Sequence, residues 1–217
     1  MAMTVPDPTP ILRLIHIDNL ALCLARGGLH APNHQPGDGL EYRAIHSLAV
    51  QASRHDRAIP CGPGGSMHDY VPFYFGPLSP MMLNLKTGRV AGYEEGQEPL
   101  IYLVSTAQKV QKSDAEFVFS DGHGLAAFTE WFDDLDFLGQ IDWPVVAARY
   151  WADTPDDMDR QRKKQAEFLV HRFCPWALIG EIVVLNQRMK ERVEAVLAEY
   201  PVVENTAVSV RPGWYYH

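Results

Sequence analysis

The sequence predicts a single α+β domain. At 217 residues, close to half of them hydrophobic, the chain is long enough to bury a full core as one unit. Strand-like apolar runs dominate it, and helical periodicity is confined to a stretch near the start and another near the end. Neither repeats nor low-complexity segments interrupt this pattern.

In chain order, residues 1–10 form a Pro-rich lead expected to be flexible. "ILRLIHIDNLALCLARGGL" then reads as strand, tight junction, helix and turn, with Asp18 or Asn19 as the N-cap and Gly27-Gly28 as the stop. "HAPNHQPGDGL" is too rich in Pro, Gly, Asn and His for regular structure and reads as a loop. "EYRAIHSLAVQASRHDRAIP" is mixed and ends in a charged cluster, and "CGPGGSM" is a second loop. Aromatic and β-branched residues between prolines in "HDYVPFYFGPLSPMMLNL" predict short, interrupted strands. "EPLIYLVST" is the cleanest buried strand, and "EFVFSDGHG" a further strand ending in a turn. Residues 125–160 are acidic and aromatic, and predict short helices packed as an irregular excursion. After "RKKQAEFLVH" come the strand "IGEIVVLN", the helix "QRMKERVEAVLAEY" and a terminal strand within "VVENTAVSVRPGWYY".

The net charge of −8 argues against binding nucleic acid through bulk electrostatics but leaves room for a local basic groove. With no apolar run near the ~18 residues of a membrane span and no signal-peptide pattern, a soluble, cytoplasmic protein is expected. Cys23, Cys61 and Cys174 are odd in number and lack CxxC spacing, so they read as reduced thiols. His30 and His34 are separated by Pro32, so they do not share a helical face, and no metal is expected. Cys61 in "PCGPGG" has no identifiable base, and no GK[ST] follows "GPGG" to make a phosphate loop.

Glu167 stands immediately before the apolar run Phe168, Leu169 and Val170, where a carboxylate is partly desolvated and able to stabilise a nearby cation. It follows the basic run from Arg160 to Lys164, which on its own reads as a solvated face.

The ordered stretches "IHIDNLALCLARGGL", an Arg ahead of "DYVPFYFGPLSPMM", "IYLV", "FSDGHG" and "QAEFLVHRFCPW" together resemble the DarT family of DNA ADP-ribosyltransferase toxins, from about residue 11 to the C-terminus. The resemblance implies a single ADP-ribosyltransferase-like domain whose split mixed β-sheet surrounds an NAD cleft. It also implies cleavage of NAD at the nicotinamide bond and transfer of ADP-ribose to a base of single-stranded DNA, with NAD as co-substrate. The family's catalytic acid falls on Glu167 and its catalytic Arg best fits Arg54. His16, Ile17, Asp18, Asn33, Arg54, Tyr74 and Met81 are the implied cofactor-binding positions. His123 opens the implied substrate loop, 123–167, in which Arg160, Arg162, Lys163 and Lys164 form a positive rim, while Trp131, Trp143 and Trp151 either stack on DNA or pack in the core. Arg13-Leu14-Ile15 stands where many members carry His-x-Thr. A macrodomain-type antitoxin that removes ADP-ribose is the implied partner. Whether the base is thymine or guanine stays open at this point, and the competing functions are action on RNA or protein, a non-catalytic nucleotide- or nucleic-acid-binding module, and a metal hydrolase.

Overall fold

Phe168, Leu169 and Val170 are fully buried, which places their strand inside a sheet covered on both faces. The structure, a computed structural model, describes residues 4–200 and 206–217. Its strands are β1 (Pro10–His16), β2 (Gly28–His30), β3 (Tyr70–Tyr74), β4 (Leu100–Thr106), β5 (Phe117–Ser120), β6 (Trp131–Phe132), β7 (Glu167–His171), β8 (Phe173–Pro175), β9 (Glu181–Val184) and β10 (Ala207–Val210). Its helices are α1 (Leu20–Ala25), α2 (Leu48–Asp56), α3 (Pro80–Lys86), α4 (Ala107–Gln111), α5 (Trp143–Ala147), α6 (Arg160–Lys163) and α7 (Gln187–Leu197). Eight strands form one sheet in the order β10-β9-β4-β1-β3-β7-β5-β6, and β2 pairs with β8 beside it. β9 and β10 run parallel while the other neighbours are antiparallel, so the sheet is mixed. This is the α+β architecture expected.

The split in the sheet has a definite position. β1 pairs with β4 along seven residues and β3 with β7 along five, but β1 and β3 meet only at Leu12 opposite Tyr74. Beyond that bridge the two halves diverge, and a cleft opens in the fork. On one face Ile11, Ile15, Phe73, Phe168 and Ile182 pack with Cys23 of α1 and with Met189 and Val193 of α7. On the other, Leu12, Leu14 and Tyr102 pack with Met82 and Leu85 of α3 and with Tyr215. Each fully buried Leu, Ile or Phe contributes about 1.5–3 kcal/mol, and the first of these clusters joins residues of both halves, so they are held together by more than the single bridge between them.

Two expectations are corrected here. The lead ends before residue 10: Thr9 is fully buried, its backbone N–H donates to Gln108 at 2.9 Å, and Pro10 begins β1. Residues 80–85, read as part of a series of interrupted strands, lie in α3, because Ser79 caps the Met82 N–H at 3.3 Å and Pro80 occupies the first turn, where its missing N–H costs nothing. Asn19 holds the N-cap position of α1, one of the two positions expected, though without a side-chain cap, and a 3-10 turn, Ile17–Asn19, capped by His16, precedes the helix. Of the terminal strand expected from residue 202, residues 202–205 lie outside those described, and β10 covers Ala207–Val210.

Candidate active site

Glu167 is the first residue of β7 and only 2% exposed. Its backbone N–H donates to Ser120 Oγ at 3.2 Å, and strand pairing sets Tyr74 opposite it. Arg54, in the last turn of α2 and 8% exposed, reaches it across 113 residues of sequence. Its Nη1 and Nη2 donate to Glu167 Oε1 and Oε2, both at 2.9 Å, a bidentate fork in which each charged atom finds its partner. Burial pulls the Arg54 guanidinium down, but the charge and hydrogen bonds of Glu167 outweigh it and hold the group above its ordinary value. Burial, reinforced by the Glu167 charge, pushes the Tyr74 phenol up, so it remains a neutral donor.

Two cavities share Arg54 in their walls. One, of about 180 Å³, is lined by Arg54, Tyr74, Met81, His123, Gln165 and Glu167. The other, of about 330 Å³, extends along Asn19, His30, Tyr42, Arg43, His68 and Tyr70. Arg13, His46, Gln51 and Arg54 line both. His123 is held from both sides of its peptide, its N–H donating to the Arg162 carbonyl at 2.9 Å and its own carbonyl accepting from Thr129 Oγ1 at 2.7 Å. Burial lowers the His123 imidazole against the opposing pull of Glu167, so it is neutral at pH 7. A carboxylate fixed by a guanidinium, with a neutral imidazole in the same enclosure, is suited to stabilising a developing cation while a proton leaves a second reactant.

A family profile describing the single-stranded-DNA thymidine ADP-ribosyltransferase DarT matches residues 12–216. The chain belongs to the DarT family. It is 44% identical to a DNA ADP-ribosyl transferase of Thermus sp. (strain 2.9) over 100% of both chains. It is 34% identical to one from Escherichia coli O127:H6, covering 97% of this chain and 95% of that one. Among solved structures it matches Thermus sp. 2.9 DarT in complex with ADP-ribosylated single-stranded DNA, with a TM-score of 0.93, 44% identity and 100% of both chains covered. It also matches the same protein in complex with NAD+, with a TM-score of 0.88 at 44% identity, covering 98% of this chain and 100% of that one. The activity expected from the motifs, NAD-dependent ADP-ribosyl transfer to DNA, is therefore that of this chain's family, and the hydrolase and non-catalytic readings fall.

Within this DarT-family fold the structure brings together Arg54, Glu167, Tyr74, Met81 and His123, all lining the first cavity. It does not bring in the others. His16, Ile17, Asp18 and Asn33 line neither cavity. His16 is buried at the end of β1, where its Nδ1 accepts from the Asp18 N–H at 3.1 Å and its pKa is lowered by burial, a capping role. Ile17 is buried in the apolar core, Asp18 pairs with Arg43, and Asn33 Nδ2 donates to Asp69 Oδ1 at 3.0 Å. Sequence reasoning missed Arg13, His46, Gln51 and Gln165. Only Arg13 left a signal, as a charge set within the apolar strand "ILRLIH".

In the expected positive rim most of the charge is engaged within the chain. Arg162 forks onto both Asp121 and Asp159 at 2.7–2.9 Å, and Lys163 pairs with Asp142 and Asp157. An added Cβ at Gly122 would fall on the Arg162 guanidinium, so that glycine makes room for the clasp. Lys164 is buried, its Nζ donating to the Val146 and Ala148 carbonyls at 2.6 and 2.9 Å. Among the described residues Arg160 and Lys164 of the four form no ion pair, and of these only Arg160 lies outside the core, donating to the Tyr150 carbonyl at 3.0 Å. Arg160→Gln is expected to lower DNA modification severalfold and to reduce its salt slope by roughly one charge, with NAD hydrolysis and melting temperature unchanged. Arg162→Gln is expected to lower melting temperature and both activities together. Oligonucleotide labelling, nicotinamide release and thermal unfolding of the two variants check this.

Of the tryptophans, Trp143 is core, with Nε1 donating to the Leu138 carbonyl at 2.9 Å, and Trp151 Nε1 donates to the Tyr216 hydroxyl at 2.8 Å. Trp131 packs against the cluster of Ile59, Met67 and Leu169. Burial lowers Lys164 to about 8, whereas the unfolded chain keeps this proton to near 10.5. Between those values the unfolded state binds more protons, so the stability contributed by Lys164 rises as pH rises from 8 to 10.5. The unfolding free energy of wild type minus that of Lys164→Met is expected to increase between pH 7.5 and 10 in urea titrations.

Proposed function

We propose that this chain cleaves the nicotinamide glycosidic bond of NAD and joins the ADP-ribose to a thymidine base of single-stranded DNA, with Glu167 and Arg54 as its catalytic pair. The observation that carries this is the buried bidentate pair that lines the smaller cavity, with Arg54 lining the larger one as well. The dinucleotide takes the larger cavity, and the target base enters the smaller one past Met81 and His123. As the bond breaks, its electron pair leaves with neutral nicotinamide, and the Glu167 carboxylate stabilises the cationic ribose. Thymine has one ring nitrogen free of sugar, N3, and this attacks the ribose C1′. The N3 proton passes to the neutral His123 imidazole. Arg54 cannot supply the base, since a neutral guanidine is too costly, and steadies the negative charge spreading onto the thymine carbonyls.

A base must be unstacked to enter so small a cavity, which favours single strands. With labelled NAD, transfer is expected to single-stranded oligonucleotides containing thymine. Equal labelling of thymine-free strands, or of the duplex, would overturn the proposal. We place the reaction in the cytoplasm; among the described residues no helix is long and apolar enough to cross a membrane. A macrodomain-type antitoxin that removes ADP-ribose completes the pairing, and its co-expression is expected to restore growth to a host producing this chain.

A further inference from the structure

Tyr216 lines neither cavity, yet its side chain joins three separate parts of the chain. Beyond β10 a 3-10 turn, Pro212–Trp214, carries Tyr215 into the core, where its hydroxyl donates to the Leu100 carbonyl at 2.9 Å. That anchors the residue after it. The Tyr216 N–H donates to Gln97 Oε1 at 3.0 Å, and the Tyr216 carbonyl accepts from Gln97 Nε2. With its backbone held by Gln97, the half-buried side chain has a free hydroxyl to offer. That hydroxyl donates to the carbonyls of Leu78 and Ser79, the second at 3.3 Å, and accepts from Trp151 Nε1 at 2.8 Å. Both groups it holds lead to the smaller cavity. Leu78 has a φ of 58°, a left-handed conformation that a bulky residue keeps only when its surroundings fix it. Ser79 caps α3, and Pro80 and Met81 in the first turn of that helix line the smaller cavity. Trp151 lies between α5 and α6, and the carbonyl of the preceding Tyr150 accepts from Arg160. Burial raises the Tyr216 phenol, so it keeps its proton and remains a donor.

We propose that Tyr216 is a positioning residue for transfer to DNA, its hydroxyl fastening the 148–159 stretch, at Trp151, to the Leu78–Ser79 step that carries Met81. The wall of the smaller cavity and Arg160 then keep one relative geometry. The inference rests on the reading of the smaller cavity as the place where the target base enters. Tyr216 touches neither reactant and acts through Met81 on one side and Arg160 on the other. A tyrosine that only pinned its own segment would be satisfied by Gln97 and one carbonyl, whereas here the same oxygen also binds an indole N–H 65 residues away.

The test uses the full chain as wild type, Tyr216→Phe, Trp151→Phe and the double variant. For each, kcat and KM are measured with a thymine-containing single strand, beside NAD hydrolysis without DNA and thermal unfolding. Tyr216→Phe keeps the ring and removes only the hydroxyl, so it is expected to raise the oligonucleotide KM about five- to tenfold, the weight of one hydrogen bond. NAD hydrolysis and melting temperature are expected to stay close to wild type, because Glu167 and Arg54 are held by other contacts. Trp151→Phe cuts the same link from the other end and is expected to match it. The double variant is then expected to be no worse than either single one, as for two residues acting through one bond. An unchanged oligonucleotide KM, a double variant whose loss is the product of the two single losses, or a lower melting temperature with both activities falling in parallel would each overturn the proposal. The last of these would leave Tyr216 a structural residue. Labelling of the thymine strand by wild type, measured on the same preparation, reports separately on the reading of the smaller cavity.

Discussion

Glu167→Gln is expected to lose roughly a thousandfold in both DNA modification and NAD hydrolysis, because an amide keeps the shape of the carboxylate but brings no charge to the cationic ribose. The two activities share the bond-breaking step, so they fall together. Alanine is the less informative variant. Arg54 is 8% exposed and spends both Nη atoms on this carboxylate, and deleting one partner of a buried pair typically costs about 3–5 kcal/mol. Glu167→Ala is therefore expected to be inactive and destabilised, and its inactivity alone would not locate the defect. Glu167→Gln leaves Arg54 one acceptor oxygen and is expected to melt closer to wild type. Nicotinamide release, oligonucleotide labelling and thermal unfolding on one preparation separate these effects. A folded Glu167→Gln protein retaining more than a tenth of the wild-type rate would remove Glu167 from the chemistry.

The position of Glu167 was legible because an acid at the start of a continuous apolar run is locally unusual, and β7 proved to be buried between β3 and β5. Its partner was not legible in the same way. Nothing near Arg54 signals that α2 ends against a strand 113 residues later, so only the ordered motifs of the family pointed to it. The internal pairing of the basic rim was hidden for a related reason. Arg160 to Lys164 are adjacent in sequence, but the acids that neutralise Arg162 and Lys163 are scattered from Asp121 to Asp159, and the carbonyls that hold Lys164 belong to α5 and the residue after it. For the tryptophans of the excursion the sequence left stacking on DNA and core packing both open. Trp131, Trp143 and Trp151 are packed or hydrogen-bonded, while Phe128 and Tyr150 stand exposed. In α3 the signal was present in "LSPMML", where Ser and Pro fit the cap and first turn, but the preceding aromatic run outweighed it.

Arg54→Lys tests whether the fork itself matters, since it keeps the positive charge and gives up the bidentate geometry. A single ammonium cannot meet both Glu167 oxygens and steady a base in the same enclosure, so both activities are expected to fall by about 10²- to 10³-fold. Arg57 is the natural contrast, an arginine three residues further along the chain. It lines neither cavity, yet its Nε and Nη2 donate to the Gly124 and Ala126 carbonyls at 3.0 and 3.2 Å, directly after His123. Its contribution is to hold the turn that presents His123. Arg57→Ala is accordingly expected to slow DNA modification about ten- to a hundredfold, as displaced groups do, with NAD hydrolysis close to wild type because Glu167 and Arg54 remain in place. The pair of variants is read by the ratio of the two activities. Arg54→Lys should leave that ratio near wild type while lowering both rates, and Arg57→Ala should shift it towards hydrolysis. The reverse pattern would place the catalytic guanidinium on Arg57 and reduce Arg54 to a counter-ion that keeps Glu167 folded.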